Sequence, residues 1–217
     1  MRRKVLGVAA IPLAVGGVAA ATVLLTSTPA SATSSTVAVT DNCQVDAPLT
    51  GAPFTLSTTF DGSAASTALP GAIVTGSGSA EPWTVPSDID GNTVTEVDNF
   101  AVSLVVSSNA TVQNVTLSGG SNLGTGTPSI TRNGNEVTLN VPGPLTPGSI
   151  ITLPTINFTF KAGSSAGAIT TQLAGSGYSD PGTTVTGLMD QTDGSTVTGT
   201  VSCFPTTTST LTSTTIL

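Results

Sequence analysis

The chain has 217 residues, no histidine, one tryptophan, one tyrosine and two cysteines, and its twelve acids outnumber five basic residues for a net charge of −7. Without histidine there is no Ser-His-Asp or Cys-His catalytic set, and the usual nitrogen ligands of zinc and copper are missing. The acidity repels phosphate backbones and anionic headgroups, which argues against a nucleic-acid binder and against electrostatic attachment to a membrane.

Arg2, Arg3 and Lys4 precede an uncharged run from Val5 to Leu25, and the next residues end in the small-x-small pattern Ala30-Ser31-Ala32. This is the layout of a secretory signal peptide, residues 1–32, cut after Ala32. The alternative is an uncleaved anchor, because about 20 apolar residues suffice to span a bilayer. Pro12, Gly16, Gly17 and the cleavage pattern favour removal. Three of the five basic residues leave with the leader. Arg132 and Lys161 then face twelve acids, for a mature net charge of −10. The mature chain is expected to be secreted to the extracellular space or cell envelope, with no membrane contact after cleavage. Its length suits one domain, residues 33–205.

Threonine and valine dominate that domain, and their branched Cβ atoms favour strands. Thr36–Thr40 alternates and runs on to Cys43. Phe54–Phe60 alternates and is expected to turn at Asp61-Gly62. Shorter runs follow at 72–75 and 83–85, then strands over 93–97 and 100–106. Imperfect alternation over 112–117 predicts a β-bulge. Asn133-Gly134 and Asp193-Gly194 are hairpin signals, since these residues tolerate positive φ. Between Val137 and Phe160, two alternating runs (Val137, Leu139, Val141; Ile156, Phe158, Phe160) flank Pro142, Gly143, Pro144, Pro147 and Gly148, which forbid a helix and force corners. The pattern predicts an all-β fold, an antiparallel immunoglobulin-like β-sandwich of about nine to eleven short strands. Residues 33–35 read as a flexible lead, and the Thr/Ser-rich stretch 206–217 as a flexible tail.

Cys43 and Cys203 are an even pair in an exported chain, which predicts a disulfide tying the first strand to the last. Asp88, Asp90, Asn92 and Glu96 form an oxygen-rich stretch that could wrap calcium, although the spacing does not match an EF-hand; a plain acidic turn is the competing reading, and no other cofactor is expected. Trp83 and Tyr178 could stack on a sugar, although single aromatics more often serve a core. No catalytic residue is assigned. A glycosidase would need two carboxylates facing across a cleft, and no such pair can be named from sequence.

The R-R-K leader, the Ala30-Ser31-Ala32 site, the Cys43/Cys203 pair and the P-G-P-L-T-P-G-S-I-I-T-L-P segment resemble the layout of small secreted β-sandwich proteins of actinobacteria. The resemblance implies a secreted sandwich and assigns no functional residue. The first functional expectation is a non-enzymatic extracellular or cell-envelope module for adhesion, scaffolding or surface binding, with a cell-surface protein or polysaccharide as partner. The alternatives are a carbohydrate-binding module, calcium-stabilised or not, and a carboxylate-based glycoside hydrolase. Oligomeric state is not readable.

Overall fold

A computed structural model describes residues 31–46, 53–89, 91–191 and 194–217, and these contain sixteen strands and no helix. They are β1 (Ala32–Val45), β2 (Phe54–Ala65), β3 (Thr67–Ala68), β4 (Ile73–Ala80), β5 (Trp83–Thr84), β6 (Asp88–Ile89), β7 (Asn92–Val106) and β8 (Ala110–Ser118). The second half supplies β9 (Ser129–Asn133), β10 (Glu136–Val141), β11 (Ile150–Ile151), β12 (Thr155–Ala162), β13 (Gly167–Leu173), β14 (Thr183–Asp190), β15 (Thr196–Pro205) and β16 (Thr210–Ile216). The count exceeds the expected nine to eleven partly because β3, β5, β6 and β11 are two residues long. The expected leader lies outside the described residues except for Ser31 and Ala32. No helix among the described residues is long and apolar enough to cross a membrane.

The fold is all-β, consistent with a sandwich. Its main sheet follows the order β3-β16-β13-β7-β14-β15-β1-β2-β4-β12-β8, with β10 and β6 also on β7 and β9 on β10; β5 and β11 pair separately. Because β3 continues β2 after Ser66 and lies parallel to β16, this path returns on itself. The two layers are therefore joined through hydrogen bonds, unlike the separate sheets of an immunoglobulin domain.

Alternation is realised where it was strongest. Val137, Leu139 and Val141 of β10 are buried, as are Ile156, Phe158 and Phe160 of β12. The rings of Phe158 and Phe160 stack at 5.3 Å. The two strands do not pair with each other; β10 pairs with β7 and β9, and β12 with β4 and β8. The proline-rich loop between them buries Leu145, whose N–H donates to the Val97 carbonyl at 2.7 Å. The predicted bulge in β8 is present: Val112 and Asn114 face consecutive residues of β12, so Gln113 is the extra residue. The Asn133-Gly134 turn joins β9 to β10, with Gly134 at φ +61°. Gly194 has φ +83° between β14 and β15, while Asp193 lies outside the described residues.

Three expectations are corrected. Residues 33–35 are not a loose lead; Thr33, Ser34 and Ser35 pair with Ala64, Ser63 and Gly62. Asp61-Gly62 is not a turn but the middle of β2. Gly62 is needed there because β16 crosses so closely that a Cβ would sit 2.1 Å from the Leu211 carbonyl oxygen. Residues 206–217 are not a flexible tail, because β16 pairs with β13 and β3 and buries Leu211 and Ile216. Two of its threonines find partners inside the protein: Thr212 and Thr171 share a hydroxyl hydrogen bond of 2.7 Å, and Thr214 donates to the Ala65 carbonyl at 2.6 Å. The domain therefore extends past residue 205.

Candidate functional site

The disulfide forms between Cys43 and Cys203, which face each other on the adjacent antiparallel strands β1 and β15 at a Cα separation of 4.1 Å. It ties the first strand to the fifteenth; the last strand, β16, is held by its own pairing.

The acidic stretch folds as a tight hairpin of β6 on the start of β7, with Asp88 opposite Thr93 and Ile89 opposite Asn92. Gly91, at φ +80°, donates its N–H to Asp88 Oδ1 at 3.1 Å, and Asn92 Nδ2 donates to the Ile89 carbonyl at 3.3 Å. Those bonds are what a turn requires of Asp and Asn. Glu96 is exposed and turned to Asp98: a hydrogen bond with that carboxyl, and then its charge, push the Glu96 pKa up. Asp90 lies outside the described residues. Among the described residues, no three acids or cysteines cluster closely enough to hold a metal.

Trp83 and Tyr178 fall into separate aromatic pairs. Trp83, half-buried on β5, packs on Phe100 at 6.0 Å with the rings tilted by 37°. Tyr178, in the loop between β13 and β14, meets Phe204 edge to face at 5.1 Å. Only Trp83 lines the apolar cavity described below.

Two concave features were not read from the sequence. The first is a groove of about 430 Å³ over β2, β4, β12 and β8. Register explains its chemistry. Ser63 faces Ser77, Ser77 faces Asn157, and Asn157 faces Thr116, so one rung of hydroxyl and amide groups crosses four strands. A second rung runs Thr75, Thr159, Asn114. Residues opposite one another in an antiparallel ladder share a face, and neighbouring strands lie about 4.8 Å apart. Among the described residues, no acid or base lines the groove. Its polar residues resemble ordinary outward strand positions, so only the register reveals the array.

The second is an apolar cavity of about 80 Å³ between the layers, walled by Phe54, Leu56 and Phe60 of β2, by Trp83, and by Phe100 and Val102 of β7. Asp41 lines it and is only 8% exposed. No hydrogen-bond donor or cation among the described residues reaches its carboxyl; burial alone pushes its pKa up. The sequence carried the signal. Asp41 shares the inward phase of Val37, Val39, Cys43 and Val45 in β1, a position a strand normally gives to an apolar residue.

Neither a protein-family model nor a curated protein sequence matches the chain. One solved structure is similar, that of a candidate membrane-anchored protein from Corynebacterium diphtheriae, at 16% identity and a TM-score of 0.49. The match covers 84% of this chain and 38% of that one, so the chain spans well under half of the protein it resembles.

Proposed function

We propose that the domain is a secreted, non-catalytic module of the cell envelope whose contact face is the polar groove over β2, β4, β12 and β8, and that it binds a neutral surface polymer there. The observation carrying this reading is the two-rung array of Ser63, Ser77, Asn157 and Thr116 beside Thr75, Thr159 and Asn114. Hydroxyls and amides both donate and accept, so they match the hydroxyls of a glycan without needing charge. A rigid sheet presents them at fixed spacing, which lowers the ordering cost of binding. The disulfide suits an oxidising, extracellular setting.

Catalysis has less support. Among the described residues, the groove and the cavity are lined by a single acid, Asp41, whereas a glycosidase requires two carboxyls roughly 5–9.5 Å apart across a sugar cleft. The test is to incubate the secreted protein with isolated cell-wall material. The proposal expects it to sediment with the wall while releasing no soluble sugar. Protein left in the supernatant would defeat the binding reading. Sugar release lost on Glu96→Gln would replace it with a hydrolase.

A further inference from the structure

The interior of an acidic, cation-poor domain is an unfavourable place for a lone carboxyl. Burying an unpaired carboxylate costs several kcal/mol, so such groups normally acquire a cation or several donors. Asp41 has neither. Of the two cationic side chains among the described residues, Arg132 is spent on the Val112 carbonyl at 2.9 Å and Lys161 is exposed on β12. Yet no fully buried side-chain oxygen or nitrogen among the described residues lacks a hydrogen-bond partner. The Asp41 oxygens are therefore open to the cavity rather than sealed in packing. The cavity is otherwise mostly apolar, with Phe54, Leu56, Trp83 and Phe100 among its walls beside the hydroxyls of Thr58 and Thr183, and among the described residues Asp41 is its only titratable lining group. At roughly 10–15 Å³ of cavity space per water-sized group, 80 Å³ accommodates about five to eight such groups beyond the carboxyl itself, enough for an ammonium and four carbons.

We propose that this cavity binds a primary aminoalkyl group, with the ammonium on the Asp41 carboxyl and the short alkyl chain between the β2 aromatic residues and Trp83. Each half of the ligand answers one half of the site. The ammonium supplies the missing counter-charge and donors, and an ion pair withdrawn from water is far stronger than one in solvent. The methylenes take the apolar walls. An alcohol of the same length would gain the walls but not the ion pair, and a carboxylate would be repelled. This site is separate from the outer groove and does not depend on the polymer-binding proposal.

Trp83 is the sole tryptophan of the chain and lines the cavity, so its fluorescence reports occupancy directly. The intact secreted protein is titrated at pH 7 and constant ionic strength with n-butylamine hydrochloride, 1-butanol, sodium butyrate and Nα-acetyl-lysine amide. The proposal expects a saturable change with butylamine, at least tenfold weaker binding of butanol, and none of butyrate. Saturation by the lysine derivative too would identify the natural source as a peptide side chain; saturation by butylamine alone would identify a free amine. Asp41→Asn should weaken butylamine binding at least tenfold while leaving butanol unchanged. Equal midpoints for amine and alcohol on the unaltered protein, or no saturation with butylamine, would overturn the proposal, and neither result depends on whether the variant folds.

Discussion

Deleting residues 206–217 removes a segment that reads as a spacer and that the structure places in the core. Leu211 and Ile216 are each only 2% exposed. Burying such a side chain contributes about 1.5–3 kcal/mol, so the two together contribute roughly 3–6. The Thr171–Thr212 and Thr214–Ala65 hydrogen bonds add about 1 kcal/mol each. The loss of roughly 5–8 kcal/mol is comparable with the whole stability of a typical domain, about 5–15 kcal/mol. The truncated protein should fail to fold or melt far below the full chain. A milder variant gives a measurable number: Leu211→Ala should cost about 2–5 kcal/mol, lowering Tm by about 2–4 °C for each kcal/mol at this chain length. Gly62→Ala should act on the same contact from the other strand, because its Cβ would overlap the Leu211 carbonyl oxygen. Far-UV circular dichroism during heating and urea titration reads all three. If the truncated chain melted within about 2 °C of the intact one, β16 would be dispensable and the reasoning refuted.

The other predictions concern the cross-link, the buried acid and the hairpin. Cys43→Ser should destabilise the domain by about 2–5 kcal/mol, since the bond closes a loop with a sequence separation of 160; an unchanged melt in reductant would contradict this. Asp41 has its folded pKa raised above 3.8 by desolvation, so the unfolded state ionises first as pH rises. Its stability contribution is then fully present below about pH 3.8 and lost as pH climbs through the folded value. Tm should fall across that window in the unaltered protein, and Asp41→Asn should flatten the difference. Glu96 has a shift of the same sign, so Glu96→Gln serves as the control. With Asp88 Oδ1 accepting the Gly91 N–H and no metal-holding cluster of acids among the described residues, adding calcium or chelator should leave Tm unchanged; a rise with calcium would assign the hairpin a metal.

Strand identity was legible wherever one face alternated cleanly, as in the runs of β10 and β12. The Asn-Gly hairpin and the β8 bulge were legible for the same local reason: turn chemistry and phase are written within a few residues. Asp61-Gly62 misled because Asp-Gly usually marks a turn; the reason for Gly62 is a strand 149 positions away, at Leu211. The terminal stretch misled because its threonines and serines read as polar, although the hydroxyls of Thr212 and Thr214 find partners inside and Leu211 and Ile216 supply the buried anchors. Site geometry was less legible. Nothing in the spacing of Trp83 and Tyr178 says that they join different rings. Asp41 could have been found, since it breaks an inward valine phase. The groove could not, because Ser63, Ser77, Asn157 and Thr116 become one rung only when the register of four strands is known.

The most direct test of the proposed binding face compares Thr75→Arg, in the groove, with Ile150→Arg, an exposed position on β11 away from it. Both add one positive charge to the outside of the domain, so nonspecific charge effects are matched. Binding isotherms on isolated cell-wall polymer should show at least tenfold weaker binding for Thr75→Arg and none of that loss for Ile150→Arg. Equal affinities for the two variants and the unaltered protein would contradict the assignment of the groove as the contact face.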